Sequence, residues 1–230
     1  MKEFLKRVFY ILYRPLSLIQ TKSVSAFFIS WGYFIKSESF YNHSESEEVN
    51  DRIKMHHTLS TRVIDPSEEI HFLEFGVFRG TTFRIWTQNN KNPSSVFSGF
   101  DTFTGLPEDW GNEKKGSYSA QGILPDIQDP RVFFYKGLIQ DTLPVYVKEM
   151  TKTKRKVIHI DVDLYNASLF TLIYLQSMLQ KGDILIFDDF FTITKAAYEF
   201  RAFIDYLSLY TVDFKPLFKC RRGHFVIQIQ

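Results

Sequence analysis

The 230-residue sequence predicts an α/β protein, a doubly wound Rossmann-like domain with a mostly parallel sheet. Three observations carry this. Short, uniformly apolar runs alternate with helical patterns from about residue 70 onward, as in a sheet covered on both faces. Four of the five runs that precede the chain's end stop at a carboxylate: Glu74, Asp101, Asp161 and Asp188-Asp189. Two further apolar runs close the chain without a clear helix between them, which predicts an antiparallel pair at one edge. Seven strands are expected in all, with an antiparallel strand at the C-terminal edge, and a helical appendage precedes them at the N-terminus.

In order, Ile70–Phe75 reads as the first strand, Thr81–Gln88 as a helix and Val96–Phe100 as the second strand. Val132–Tyr135 is the third strand, and Val157–Ile160 the fourth. Leu169–Leu179 has apolar residues at helical spacing, Ile184–Phe187 is the fifth strand, and Ala196–Leu209 is helical. Phe225–Ile229 closes the chain, paired with a strand near Phe214–Phe218. The stretch Thr102–Arg131 has no periodicity, and a loop of that length inside a compact domain is usually functional.

The first 37 residues stand apart. Six basic residues (Lys2, Lys6, Arg7, Arg14, Lys22, Lys36) face one acid, Glu3, and aromatics lie between them. Phe4, Val8, Ile11 and Leu12 share one helix face. Such a helix suits a membrane surface, a substrate cover, or packing on the domain or on a second subunit. Residues 37–51 then turn polar and acidic, as in a linker or a helix start. The expected division is an appendage over 1–50 and a catalytic domain over 51–230.

Composition excludes several classes. Hydrophobic residues make up 44% and charged residues 23%, an ordinary globular balance that rules out coiled-coil, collagenous and disordered chains. A net charge of +2 gives no global basic excess for a nucleic-acid partner. One cysteine, Cys220, excludes a disulfide framework. No apolar run reaches the ~18 residues that read as a membrane span, and Met1–Gln20 lacks a signal-peptide pattern, so a cytoplasmic location is expected. There is no C-x-x-C, H-E-x-x-H, G-x-S-x-G, Walker or G-x-G-x-x-G motif. The run Lys152, Lys154, Arg155 and Lys156 reads as a solvated helix end.

The chemistry therefore rests on the strand ends. In doubly wound sheets, ligands bind outside the carboxyl ends of the strands. The first turn, Glu74-Phe75-Gly76-Val77-Phe78-Arg79-Gly80, pairs an acid with two glycines that allow close backbone approach. Asp101, at the next strand end, stands where an acid accepts hydrogen bonds from ribose hydroxyls. Asp161 and Asp163, with Asp188-Asp189 on the neighbouring strand, form an oxygen-rich set suited to a hard cation, Mg²⁺ above all. A helix-capping role for Asp163 or Asn166 accounts for one acid of the set and leaves the others.

At these residues the sequence resembles the macrocin O-methyltransferase (TylF/MycF) family. The ordered blocks are LEFGVFRG (73–80), GFDTFTGLPEDW (99–110), KGLIQDTLP (136–144), HIDVDLY (159–165) and GDILIFDDF (182–190). The resemblance covers about residues 70–200 and the closing strand, and residues 1–50 lie outside it. It implies a class I, S-adenosylmethionine-dependent methyltransferase and Mg²⁺-assisted methylation of a hydroxyl, in relatives often on a sugar of a glycosylated natural product. It implies that Glu74, Gly76, Val77 and Gly80 line the methionine end of the cofactor and that Asp101 and Thr102 serve the ribose. The turn Gly137–Asp141 lies near the adenine, and Asp161, Asp188 and Asp189 hold the metal. Asp161, Asp163 or His159, if it faces the cleft, takes the proton, although a structural role is the better reading of His159. The 102–131 stretch covers cofactor and substrate. A homo-oligomer is expected, since relatives commonly assemble and the apolar N-terminus needs burial. A peripheral membrane contact through residues 1–37 is a second expectation. Two readings compete: a metal-dependent glycosyltransferase built on Asp161-x-Asp163, which has no need of the first turn, and a non-catalytic partner in a biosynthetic complex, which has no reason to keep the acids together.

Overall fold

The structure is a computed structural model. It describes residues 22–150, 154–191, 196–220 and 223–230, with side chains described from residue 28 onward. The amphipathic face at Phe4, Val8, Ile11 and Leu12 lies outside the described residues. No helix among the described residues is long and apolar enough to cross a membrane.

One eight-stranded sheet organises the chain. Its strands are β1 (Glu47–Glu48), β2 (Ile70–Phe75), β3 (Val96–Asp101), β4 (Val132–Lys136), β5 (Arg155–Ile160), β6 (Ile184–Phe187), β7 (Phe214–Lys219) and β8 (Phe225–Ile229). They lie in the order β1-β7-β8-β6-β5-β2-β3-β4. Strands β2 to β6 pair in parallel, and β8 is antiparallel to both β6 and β7. The expected antiparallel pair is therefore present, with β8 lying inside β7. The eighth strand, β1, is a two-residue addition that pairs in parallel with β7.

The helices are α1 (Lys22–His43), α2 (Arg52–Thr58), α3 (Thr81–Asn89), α4 (Ile139–Glu149), α5 (Tyr165–Leu175) and α6 (Glu199–Leu209). A π-helical turn, Leu59–Val63, follows α2. Helix α5 starts four residues before the apolar spacing suggests and passes into a 3₁₀ turn at Gln176–Met178.

Strand alternation sends successive side chains to opposite faces and gives the sheet two cores. Leu73, Phe75, Ile158, Ile160, Leu185, Phe187, Phe225 and Ile227 face α4, α5, α6 and the end of α1. Ile70, Phe72, Phe97, Val157, Ile184, Ile186 and Val226 face α2 and α3. The high phenylalanine content is used here. Phe190 stacks on Phe225 at 4.8 Å, and Phe40 of α1 meets Phe190, Phe200, Phe203 and Phe225 edge-on. The polar stretch 37–51 is thus the end of α1, with Phe40 and the buried Tyr41 packed on the core, followed by β1.

The basic run at 152–156 reads differently in the structure. Arg155 and Lys156 open β5, and Lys156 is fully buried. Its Nζ stands 2.9 Å from Asp183 Oδ2. Arg155 and Lys154 pair with Glu68 and Glu69. A buried lysine needs a partner, and the strand entry supplies one. Lys152 lies outside the described residues.

Candidate active site

From β2 the chain runs outward through β3 and β4, then returns to β5 on the other side of β2. The switch point is therefore between β2 and β5, and a crevice opens beyond their carboxyl ends. A cleft of about 530 Å³ lies there. Gly76, Asp101, Thr102, Gly137, Asp161, Asp163, Asp188 and Asp189 line it. So do Arg52, Phe78, Glu108, Trp110 and Tyr118, the last three from the long loop.

Asp101 organises the first turn. Its Oδ2 accepts from the backbone N–H of Val77 at 2.8 Å and Phe78 at 2.7 Å, and its Oδ1 accepts from Phe103 N–H at 2.6 Å. Gly76 sits at φ +87°, and a Cβ there would stand 1.7 Å from the Asp161 carbonyl oxygen. This glycine, expected to admit a ligand, admits the close approach of the chain at the end of β5.

One side of the sheet carries the polar cluster, because period-2 alternation extends the rows that face α2 and α3. The row Ile70, Phe72 continues to Glu74, and Val157 continues to His159 and Asp161. Ile184 and Ile186 continue to Asp188, and Val226 is preceded on its face by His224. Glu74 and His159 are fully buried, and Glu74 Oε1 lies 2.9 Å from His159 Nδ1. Thr82 Oγ1 donates to the same oxygen. His159 Nε2 stands 3.8 Å from Asp188 Oδ1, and His224 Nδ1 stands 3.1 Å from it. Arg52, first residue of α2, spans the remaining gap: Nη2 is 2.6 Å from Asp161 Oδ2 and Nε 3.1 Å from Asp188 Oδ1.

The electrostatics follow from this crowding. Burial lowers the proton affinity of the His159 ring, but Asp188 and Glu74 outweigh it and raise its pKa to about 9. Burial likewise opposes ionisation of Asp188, but the two histidines and Arg52 hold its carboxyl well below the usual range. Burial and the Asp188 charge push Asp161 up, against the pull of Arg52. Glu199, fully buried, accepts from the backbone N–H of Asp188 and Asp189. Burial and the charges of Asp189, Asp161 and Asp188 push it well above its ordinary value. His56 is buried behind His159 and accepts from Trp86 Nε1 at 3.0 Å; burial and the His159 charge hold it well below its usual value.

The cleft thus gathers Gly76, Asp101, Thr102, Gly137 and the four aspartates, as expected. Val77, Gly80 and Asp141 flank it without lining it, and Gly80 opens α3 in the left-handed conformation. Two expectations are corrected. Glu74, expected at the methionine end, is fully buried and bound to Thr82 and His159. His159, named as a base if it faces the cleft, is also fully buried, with one nitrogen on Glu74, and is not among the residues lining the cleft. Among the described residues, the group that could hold a cation is His159, Asp161 and Asp188; Asp189 is on the cleft wall outside it. Leu164, without a side-chain cap bond, is the N-cap of α5, so Asp163 does not serve as its cap. Asp163 takes φ +63°, a costly conformation for a non-glycine residue and one that recurs at functional sites. Arg52, Glu199 and His224 were missed. Only the period-2 relation of His159 to Asp161 was visible in the sequence as a hint of the buried row.

Comparison with known proteins bears on the fold and the family. A family model described as macrocin O-methyltransferase (TylF) matches residues 49–212. No curated protein sequence matches the chain. Among solved structures, the calicheamicin methyltransferase CalS11 superposes with a TM-score of 0.61 at 20% identity, over 76% of this chain and 77% of that one. The O-methyltransferase NovP gives 0.60 at 20% identity, over 77% and 78%. An O-methyltransferase from Bacillus cereus in complex with SAH gives 0.51 at 15% identity, over 95% of each chain. At these identities the structures share the fold, while the family match spans well over half of the sequence. The chain belongs to the macrocin O-methyltransferase family of S-adenosylmethionine-dependent O-methyltransferases.

Proposed function

We propose that the protein transfers the methyl group of S-adenosylmethionine to a hydroxyl of a sugar, glycosylated natural product or glycan, with Mg²⁺ assisting. The observation that carries this reading is the cleft at the β2/β5 switch, where Asp101 and the acids Asp161, Asp163, Asp188 and Asp189 line one wall system. CalS11 is described as a TDP-rhamnose 3'-O-methyltransferase, which supports a sugar hydroxyl as acceptor.

Asp101 would receive the ribose hydroxyls while its Oδ2 holds the first turn. Leu138, Ile139 and Gln140 would flank the adenine, and Phe78 and Tyr118 the mouth of the cleft. Bound S-adenosylmethionine would supply its sulfonium methyl to the acceptor oxygen, giving a methyl ether and S-adenosylhomocysteine. Positioning supplies much of the acceleration of such a step. Asp163 or Asp161, both on the cleft wall, receives the hydroxyl proton.

The residues fit the metal. Asp161 and Asp188 offer carboxylate oxygens that lie, with a nitrogen of His159, within 4.8 Å of one another. Asp161, Asp188 and Asp189 would hold the ion, with His159 behind Asp188. A bound Mg²⁺ would lower the pKa of the acceptor hydroxyl and fix its oxygen. The expected homo-oligomer is supported by exposed Phe28, Ile29, Trp31 and Ile35 on α1, and sedimentation velocity tests it.

The test is calorimetric titration with S-adenosylmethionine and with S-adenosylhomocysteine, each with and without Mg²⁺, on wild type and Asp101→Ala. Binding in the micromolar range to wild type, lost in the variant, is expected. No binding of either compound to folded wild-type protein in any condition overturns the reading.

A further inference from the structure

Arg52 occupies the edge of the carboxylate pair that a cation would use. Its guanidinium bridges Asp161 Oδ2 at 2.6 Å and Asp188 Oδ1 at 3.1 Å from the start of α2. Both carboxylates belong to the group whose ligand atoms lie within 4.8 Å of one another. The arginine reaches them from outside the sheet, and about a third of its side chain is exposed on the cleft wall. The fork of an arginine matches two carboxylates well, while Mg²⁺ demands oxygens at about 2.0–2.1 Å in octahedral array. A single positive charge and a double one cannot share this edge without strong repulsion.

We propose that Arg52 is the resident counter-cation of Asp161 and Asp188, that a divalent cation displaces it, and that metal loading thereby loosens the first turn of α2. The inference rests on the metal-assisted reading above. It makes Arg52 a positioning residue: with the metal away, it keeps two buried-edge carboxylates compensated and correctly placed. With the metal bound, the Arg52 tie between α2 and the strand ends is gone. The turn keeps its own cap, in which Asp51 Oδ1 accepts from Lys54 N–H at 2.6 Å and the Asp51 carbonyl from Met55 N–H at 2.9 Å, with the buried Met55 and His56 behind it.

Two measurements test it on the full chain. In the first, Mn²⁺ is titrated without cofactor and free ion is read by electron paramagnetic resonance. Arg52→Gln is expected to bind Mn²⁺ about tenfold more tightly than wild type, since a competing charge has been removed. Equal or weaker binding by the folded variant overturns the proposal. In the second, amide hydrogen exchange is followed over residues 52–59 of wild type. Saturating Mn²⁺ is expected to speed exchange there, and unchanged or slower exchange at saturation overturns the proposal even if the variant fails to fold. If neither protein binds Mn²⁺ while S-adenosylhomocysteine binding is intact, the metal part of the proposed function fails, and this inference fails with it. If Mn²⁺ binds and Arg52 stays in place, only this inference fails.

Discussion

Gly76→Ala isolates the contact on which the cleft is built. Gly76 and Gly116 have nearly the same positive φ, +87° and +89°, where an alanine costs about 1–2 kcal/mol. They differ in what a methyl meets. At Gly116 there is nothing within 4 Å, whereas at Gly76 the methyl carbon would lie 1.7 Å from the Asp161 carbonyl oxygen and 2.7 Å from its carbon. Ordinary contact begins near 3.4 Å, so β2 and β5 must part by well over an ångström at their carboxyl ends. Two hydrogen bonds adjoin that contact: Asp161 N–H donates to the Phe75 carbonyl at 2.8 Å across β5 and β2, and Gly76 N–H donates to the Phe100 carbonyl of β3 at 2.9 Å. At about 1 kcal/mol each, with residual strain of about 1 kcal/mol, the junction adds about 2–3 kcal/mol. Gly76→Ala should therefore lose about 3–5 kcal/mol in urea unfolding, against about 1–2 kcal/mol for Gly116→Ala. It should also lose S-adenosylhomocysteine binding, because Asp161 and the first turn move together. If the two variants unfold within about 1 kcal/mol of each other with equal m-values, the close approach is not what Gly76 serves.

Three further outcomes are expected. Lys156→Ala strands the buried Asp183 and should cost about 3–5 kcal/mol by denaturant unfolding, while Lys156→Met with Asp183→Asn should recover most of it; a mild loss in the single variant refutes the buried pair. Arg131 donates to the Thr87, Asn90 and Asn92 carbonyls and to Asp129, and it lies over Phe97, so Arg131→Ala should lose about 2–4 kcal/mol. Arg131→Lys should recover little, because lysine lacks the fork; full recovery would refute that assignment. Burial, followed by the charges of Lys154 and Lys156, lowers His71 from 6.5 to about 4. Its neutral form is favoured in the fold, so between these values the unfolded chain holds more protons. Stability should fall as pH drops from 6.5 toward 4, and His71→Gln should flatten that slope in pH-dependent melts.

The strand ends were legible because apolar runs stop at acids: Glu74, Asp101, Asp161 and Asp188 all stand at or just beyond a strand end. A run such as IHFLEF or ILIF has one plausible structure between turn signals. What each acid does was less legible. Glu74 and Asp101 look alike in sequence, yet one turns into a buried row with His159 and the other holds backbone amides. Arg52 and His224 come from segments far from Asp188 in the chain, and Glu199 opens the helix that follows it; none carries a motif, and only packing brings them together. Lys156 was misread for a related reason: four basic residues in a row of five look solvated, and nothing local reveals that one finds Asp183 across the sheet.

The margin of the sheet has a consequence for how the chain is made. Strand β7 would be the outer rim but for Glu47 and Glu48, which lie along Phe218 and Lys219. Val49 N–H donates to the Lys219 carbonyl, and Lys219 Nζ donates to the carbonyls of Tyr41 and Ser44. The covering piece thus leaves the ribosome well before its partner strand. Until residues 214–219 emerge, β1 has no strand to pair with, and until Phe225 follows, Phe40 lacks one of its ring partners. Conversely, a chain begun at residue 51 would present β7 as an open, unguarded rim, the kind of edge that recruits other strands. The sequence outside the recognisable family blocks therefore acts as a late-closing seal for those within it.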